Sequence, residues 1–442
     1  MLNETKKVAI IGLGREGLAI LNFIKKQKEF KNFEIWVLDK STKVKLPKGV
    51  KGQIGENYLD NLEHFEYIFR SPGFHYMEPR LQKAIKAGVK VSSATKLFFD
   101  YAKKKHPLKI IGVTGTKGKG TTSTLIYKIL KGSGKKVFLA GNIGTPALNI
   151  LSKIDKKSYV ILELSSFQLQ DLHTSPDIAV VLEMFPDHQD AHKNLKEYYS
   201  AKANITRHQG AEDQVFFFGD QKQSKVTGMF GAGKKNPVLP QDFNMFDPSE
   251  LTIRGAHNYR NVVMATLVSL ALKVPKEKII KSVKNFTGLE HRMEFVCKQD
   301  SISFFDDSAS TNPHTTAAAL RSFDNRNIVL IAGGVDKGLG YLPVYREISA
   351  LFKRHEIKSV VLIGENKNKI RAAIEKTPVR IMEAETLEEA VEAAFKDLKS
   401  THGEGVVLFS PGAASFDMFL NYADRGEKFR KIARQICGMS NK

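Results

Sequence analysis

The stretch Leu108-Lys109-Ile110-Ile111-Gly112-Val113-Thr114-Gly115-Thr116-Lys117-Gly118-Lys119-Gly120-Thr121-Thr122 decides the fold. Leu108 to Val113 has the β-branched, apolar character of a strand, and Thr122 to Lys131 repeats its apolar residues at helical spacing, so the glycines between form a strand-to-helix turn. Such a turn lets backbone N–H groups curl around phosphate oxygens. The helix N-terminus adds positive potential, and Lys119 is placed to reach β- and γ-phosphates. The reading predicts a nucleoside triphosphate ligand and a loop made of Gly115, Thr116, Lys117, Gly118, Lys119, Gly120, Thr121 and Thr122. Two positions depart from the usual pattern. Val113 stands where the first glycine is expected, and Gly120 stands where a Ser or Thr normally meets magnesium, which leaves Thr121 as the nearest hydroxyl.

Outward from this loop the chain divides into three α/β blocks. The first opens with Val8-Ala9-Ile10-Ile11-Gly12-Leu13-Gly14-Arg15-Glu16-Gly17, followed by a strand Ile35 to Leu38 that ends at Asp39. This is the G-x-G-x-x-G layout with an acid at the next strand end, suited to a pyrophosphate and a ribose; a dinucleotide oxidoreductase would share it. The second block carries strands at 108–113, 136–140, 159–163 and 178–182, and the third carries strands at 328–332, 359–363 and 406–409. Alternation of such strands with helices predicts mostly parallel sheets whose ligands lie beyond the strand C-termini. The expected architecture is α/β in three domains: a Rossmann-like domain at 1–98, a central phosphate-loop ATPase-type domain at 99–289 and a Rossmann-like domain at 290–442. The polar stretch 221–248 reads as a β-rich or loop insertion.

Composition narrows the class. With 442 residues the chain has room for several cores, and two cysteines, Cys297 and Cys437, are too few for a disulfide scaffold, so a reducing cytoplasmic setting is expected. No apolar stretch approaches the roughly 20 residues of a membrane helix. The formal charge of +21 favours anionic partners, but much of it is lysine scattered along helices, with no arginine-rich tail and no zinc-finger spacing. Charge alone does not choose among nucleic acid, a membrane surface and phosphorylated small molecules, and the motifs must decide; no nucleic acid partner and no membrane insertion are expected once they are counted.

Further chemistry sits at the strand ends of the second block. Glu163 closes Tyr159-Val160-Ile161-Leu162, the usual place for a magnesium ligand beside a phosphate loop. The next strand ends in Glu183-Met184-Phe185-Pro186-Asp187-His188, and Lys202 follows in a helical stretch.

In this order the motifs resemble those of the Mur ligases. T-G-T-K-G-K at 114–119, G-N-I-G at 141–144, E-L-S-S-F-Q-L at 163–169, D-H at 187–188, H-N-Y-R-N at 257–261, H-R-M-E at 291–294, D-D-S-A-S-T-N at 306–312 and S-P-G-A-A-S-F-D-M-F at 410–419 span all three blocks. The third and last of these runs, E-L-S-S-F-Q-L and S-P-x-x-A-S-F-D, resemble the branch that adds D-glutamate. The resemblance implies a monomeric cytoplasmic enzyme that uses ATP to activate the carboxylate of UDP-N-acetylmuramoyl-L-alanine as an acyl phosphate, which the amine of D-glutamate then attacks. It implies two magnesium ions, one held by Thr121 and Glu163, the other by His188 and a carbamylated Lys202, with Lys119 neutralising the phosphates. It further implies Asn258, Asn261, Arg292 and Asp307 around ATP. Gly14, Arg15, Glu16, Asp39 and Gly73 would lie around the uridine diphosphate, with Asn142, Ser165 and Gln168 on the muramoyl-alanine arm. Thr311, Lys337, Ser415 and Tyr422 would surround the amino acid. Departures from the family pattern are Gly120, Glu183 where asparagine is general, Ala309 in place of a lysine, and Lys96 where an acid is common.

Overall fold

Long apolar runs such as Val8-Ala9-Ile10-Ile11 and Val160-Ile161-Leu162 are buried along their whole length, as strands covered by helices on both faces must be. The computed structural model describes residues 6–105, 108–186, 192–253, 256–323, 327–336, 338–400 and 404–439. The chain forms two compact units, Met1–Phe286 and Thr287–Lys442.

The first unit contains two parallel sheets. One has five strands in the spatial order Lys51–Ile54, Glu34–Asp39, Lys7–Ile11, Tyr67–Arg70, Lys90–Ser93. The other has six, in the order Lys234–Val238, Gln214–Phe218, Ile178–Val181, Lys109–Thr114, Tyr159–Glu163, Val137–Gly141. The strand that feeds the phosphate loop is thus central, flanked by the strands ending at Glu163 and Val181. One core joins the first sheet to the near face of the second, through Phe98, Phe69, Leu148 and Val160, and a separate core packs the loop helix and the helix Ala256–Ala271 on the other face. The helix Ala94–Lys105 runs through the expected boundary at 98/99.

The second unit has one six-stranded sheet, Glu294–Gln299, Ile302–Asp306, Gly405–Phe409, Asn327–Gly333, Ile357–Ile363, Arg380–Glu383. Its first two strands pair antiparallel and the rest are parallel. The antiparallel edge strand was not among the expected elements. Cys297 on that strand is joined to Cys437 at the end of the last helix, so the two cysteines, too few for a scaffold, do form one bridge inside this unit.

Two expectations need correction. The loop helix spans Lys119–Gly132, opening earlier than Thr122, because Gly118 takes a left-handed φ of 80° and serves as N-cap, with Thr122 N–H donating to its carbonyl at 2.9 Å. Residues 221–248 are no insertion: they hold the helix Lys222–Gly228, capped by the Gln221 side chain, and the edge strand Lys234–Val238 of the central sheet. Among the described residues no helix is long and apolar enough to cross a membrane.

Candidate active site

The phosphate loop is held from three directions. Thr116 N–H donates to Glu183 O at 2.8 Å, and Thr116 Oγ1 lies 2.8 Å from the Tyr198 hydroxyl and accepts from Phe185 N–H at 2.9 Å. Lys119 curls over its own loop, donating to Gly115 O at 3.0 Å and Thr116 O at 2.9 Å. A Cβ on Gly118 would run into Oδ1 of Asn261, which also lies 3.3 Å from Thr122 Oγ1. Asn261 Nδ2 in turn reaches Asn258 Oδ1 at 3.5 Å. The loop and the asparagine helix, distant in sequence, therefore share one surface.

Glu163 sits opposite Val113 on one side and Gly141 on the other, only 5 % exposed. Its Oε1 accepts from Asn142 Nδ2 at 3.0 Å, so the G-N-I-G turn orients the carboxylate. Lys202, 2 % exposed on the helix Leu195–Arg207, donates Nζ to Gly115 O at 2.9 Å and lies over the Tyr198 ring. Tyr198 and Lys202 are four residues apart on one helix face, a spacing that the sequence reading did not use. Thr121 is partly exposed in the first turn of the loop helix. The donor set of a threonine hydroxyl and an oriented, nearly buried carboxylate suits a hard cation. His188 and Lys337 lie outside the described residues.

The residues expected around the uridine diphosphate lie in a second cluster. Gly12 has a φ of 83°, and Gly17 packs so closely that a Cβ there would meet Gly12 O, which explains the glycine spacing as turn and helix packing. Asp39 Oδ2 accepts from Leu13 N–H at 3.0 Å and fixes the turn. Gly14 is N-cap of the helix Arg15–Ile24, and Gly73 follows Ser71, whose hydroxyl donates to Gly12 O at 2.8 Å. Arg15 donates to Gly144 O at 2.7 Å, and Glu16 accepts from Gln168 Nε2 at 3.0 Å. Burial pushes the Glu16 carboxyl up, against the Gln168 hydrogen bond that pulls it down. Ser165 and Gln168 also cap the short helix Ser166–Leu169 reciprocally, so both have a structural task that the sequence reading passed over.

In the second unit Asp307 is 2 % exposed, accepting from Ser310 Oγ at 2.5 Å, Ser410 Oγ at 2.7 Å and Met293 N–H at 3.2 Å. Burial nevertheless holds its carboxyl up at about 6. Arg292 is exposed beside it. Val335 N–H donates to Ala414 O at 2.9 Å, which sets Ser415 next to the segment leading to residue 337. Thr311 is half-buried before the N-cap Asn312, and Tyr422 is exposed at the start of the last helix, its carbonyl accepting from Ser308 Oγ at 2.8 Å. Arg425, fully buried, ties Ser308 to Ala413 O and is a scaffold residue that no motif announced. His291, Glu294 and Asp306 converge within 4.8 Å, but His291 Nδ1 is paired with Asp306 at 2.7 Å and Arg430 with Glu294 at 3.0 Å, so the cluster is internally satisfied.

A phosphate loop facing a buried carboxylate and a buried lysine at one sheet edge defines a nucleotide-dependent enzyme of the phosphate-loop α/β class. Comparison with known proteins specifies it further. The profile of the Mur ligase MurD-like N-terminal domain matches residues 6–93, that of the Mur ligase middle domain residues 113–269, and that of the Mur ligase glutamate ligase domain residues 291–412. The chain is 35 % identical to the UDP-N-acetylmuramoylalanine--D-glutamate ligase of Acetivibrio thermocellus, over 98 % of this chain and 97 % of that one. It is 34 % identical to the enzyme of the same name from Clostridium acetobutylicum, with the same coverage of both chains. The fold matches UDP-N-acetylmuramate-alanine ligase MurC of Thermotoga maritima, with a TM-score of 0.55 at 16 % identity, covering 97 % of this chain and 99 % of that one. It also matches MurF ligase of Thermotoga maritima in complex with ADP, with a TM-score of 0.54 at 17 % identity, covering 99 % and 98 %. The chain belongs to the Mur ligase family, ATP-dependent enzymes that form C–N bonds.

Proposed function

We propose that this chain joins D-glutamate to UDP-N-acetylmuramoyl-L-alanine in the cytoplasm, as a monomer, at the expense of ATP. The observation that carries the reading is the meeting of the loop lysine Lys119, the carboxylate Glu163 and the buried Lys202 at the C-terminal edge of one sheet. The names of the relatives supply the substrate class. In the proposed division of labour residues 1–98 take the uridine nucleotide, 99–289 take ATP and 290–442 take the amino acid.

A carboxylate is a poor electrophile, so its oxygen first accepts the γ-phosphoryl group and ADP leaves. The amine of D-glutamate then attacks the acyl carbon, loses a proton, and expels inorganic phosphate. Two anions must meet in the first step, and charge neutralisation supplies most of the catalysis. Lys119 is placed to move from the loop carbonyls onto the phosphates, and Asn258, Asn261, Arg292 and Asp307 are assigned to the nucleotide. Magnesium bound by Thr121 and Glu163, and a second ion bound by His188 and Lys202, would neutralise the phosphates and the substrate carboxylate. As an ammonium Lys202 would repel a cation; carbamylation turns it into an oxygen ligand at the same carbonyl-lined position. Arg15, Glu16, Asp39, Asn142 and Gln168 are assigned to the nucleotide sugar, and Thr311, Lys337, Ser415 and Tyr422 to the amino acid.

The test is phosphate release from ATP with magnesium, bicarbonate and UDP-N-acetylmuramoyl-L-alanine, comparing D-glutamate with L-glutamate and other amino acids. D-glutamate alone should support turnover and a glutamylated product. Lys202→Ala should lose ligation and regain part of it with short carboxylic acids. Near-normal turnover of that variant without them would remove the carbamate from the reading.

A further inference from the structure

Glu183 introduces a carboxylate next to the phosphate loop, where a triphosphate must be welcomed. Its backbone carbonyl already holds Thr116 N–H, so its side chain starts within a residue's reach of the loop. The charges of the loop's own Lys117 and of Glu183 both act on His257, in opposite directions, so Glu183 lies within electrostatic reach of the loop region. The charge is not left bare. Arg260 Nε lies 3.0 Å from Glu183 Oε1, while Nη1 and Nη2 grip Asp220 in a fork at 2.7 and 2.8 Å. The guanidinium is 4.2 Å from the Phe218 ring centroid, so packing fixes its plane. Nε makes no aligned hydrogen bond, so its hold on Glu183 is Coulombic, whereas the grip on Asp220 is directional. Arg260 also sits between Asn258 and Asn261 on the helix that closes over Gly118. One side chain thus connects the asparagine helix to the ends of two neighbouring strands.

We infer that Arg260 is a positioning residue for the nucleotide: it sets the asparagine helix against the phosphate loop and masks a carboxylate that would repel the triphosphate. The inference rests on the ligase reading in taking ATP as the ligand, and its control takes the nucleotide sugar from the same reading.

The measurement is calorimetric binding of Mg·ADP to the full chain for wild type, Arg260→Ala, Glu183→Gln and the double variant, with binding of UDP-N-acetylmuramoyl-L-alanine as the control. Arg260→Ala should weaken Mg·ADP roughly tenfold and the nucleotide sugar less than about twofold. Glu183→Gln alone should cost less, and added to Arg260→Ala it should recover most of the loss, because the uncompensated charge is then gone. Raised salt should shrink the Arg260→Ala defect by screening that charge. Equal weakening of both ligands, or a double variant worse than Arg260→Ala, would overturn the inference. If Arg260→Ala does not fold, Arg260→Lys takes its place, since an ammonium cannot reproduce the planar fork on Asp220 with a third nitrogen at Glu183; an unchanged Mg·ADP affinity there would also overturn it. Binding is read without turnover. A wild-type chain that binds Mg·ADP yet makes no amide defeats the ligase reading alone, and an active ligase indifferent to this cycle defeats the Arg260 inference alone.

Discussion

Asp307 shows how a single side chain can couple the second unit to pH. Three donors favour its ionised form, yet burial outweighs them and lifts the carboxyl to about 6. The folded chain therefore binds this proton more tightly than the unfolded chain does. The associated stability is fully present below about pH 4, declines as pH rises, and is gone above the folded value near 6. An amide in place of the acid cannot ionise. Asp307→Asn should flatten this part of the pH dependence between about 4 and 6 and stabilise the second unit above it by something on the order of 1–3 kcal/mol. Urea unfolding at stepped pH checks this, and a variant with the wild-type pH slope would deny Asp307 the effect. If ligation also falls, the carboxylate is kept at a cost in stability because the nucleotide needs it.

At the level of elements, the contact between the loop helix and the asparagine helix depends on one glycine. Gly118 has a φ of 80° and no room for a Cβ against Asn261. Gly118→Ala combines left-handed strain of about 1 kcal/mol with a displaced Asn261, so it should cost little in the thermal midpoint but at least about tenfold in Mg·ADP affinity. A variant with wild-type affinity would separate the two helices functionally. The loop was legible in the sequence because strand, glycines, lysine and helix are chain neighbours, and Glu163 because a buried apolar strand announces its own end. Residues 222–228 and 234–238 were not legible: the helix is short and polar, and Lys-Lys-Asn-Pro-Val carries a proline tolerable only on an edge strand. The Arg260, Glu183 and Asp220 junction was invisible for a different reason. Its members come from a helix and two separate strand ends, and only the fold brings them together.

Over the first unit as a whole, the two sheets are joined by charge as well as by apolar packing. Arg70, fully buried at the end of the strand Tyr67–Arg70, donates to Phe167 O at 2.7 Å and to Asp171 Oδ1 at 2.5 Å, with Lys96 Nζ 3.7 Å from the other carboxylate oxygen. Lys96, the residue that departs from the family pattern, is thus a second counter-charge for Asp171. The hydrogen bonds from Arg15 to Gly144 and from Gln168 to Glu16 cross between the same two sheets, so the residues proposed to bind the uridine side of the substrate depend on this junction for their placement. Removing one partner of such a pair strands the other. Arg70→Met should destabilise the first unit by about 3–5 kcal/mol, and Arg70→Met with Asp171→Leu should recover much of it, since an apolar pair of similar volume avoids the desolvation cost. The double variant then isolates function from stability. If the tether positions the uridine-side residues, the folded double variant should still show a raised KM for the nucleotide sugar and a nearly normal KM for ATP. Equal effects on both substrates would mean that the buried pair serves stability alone.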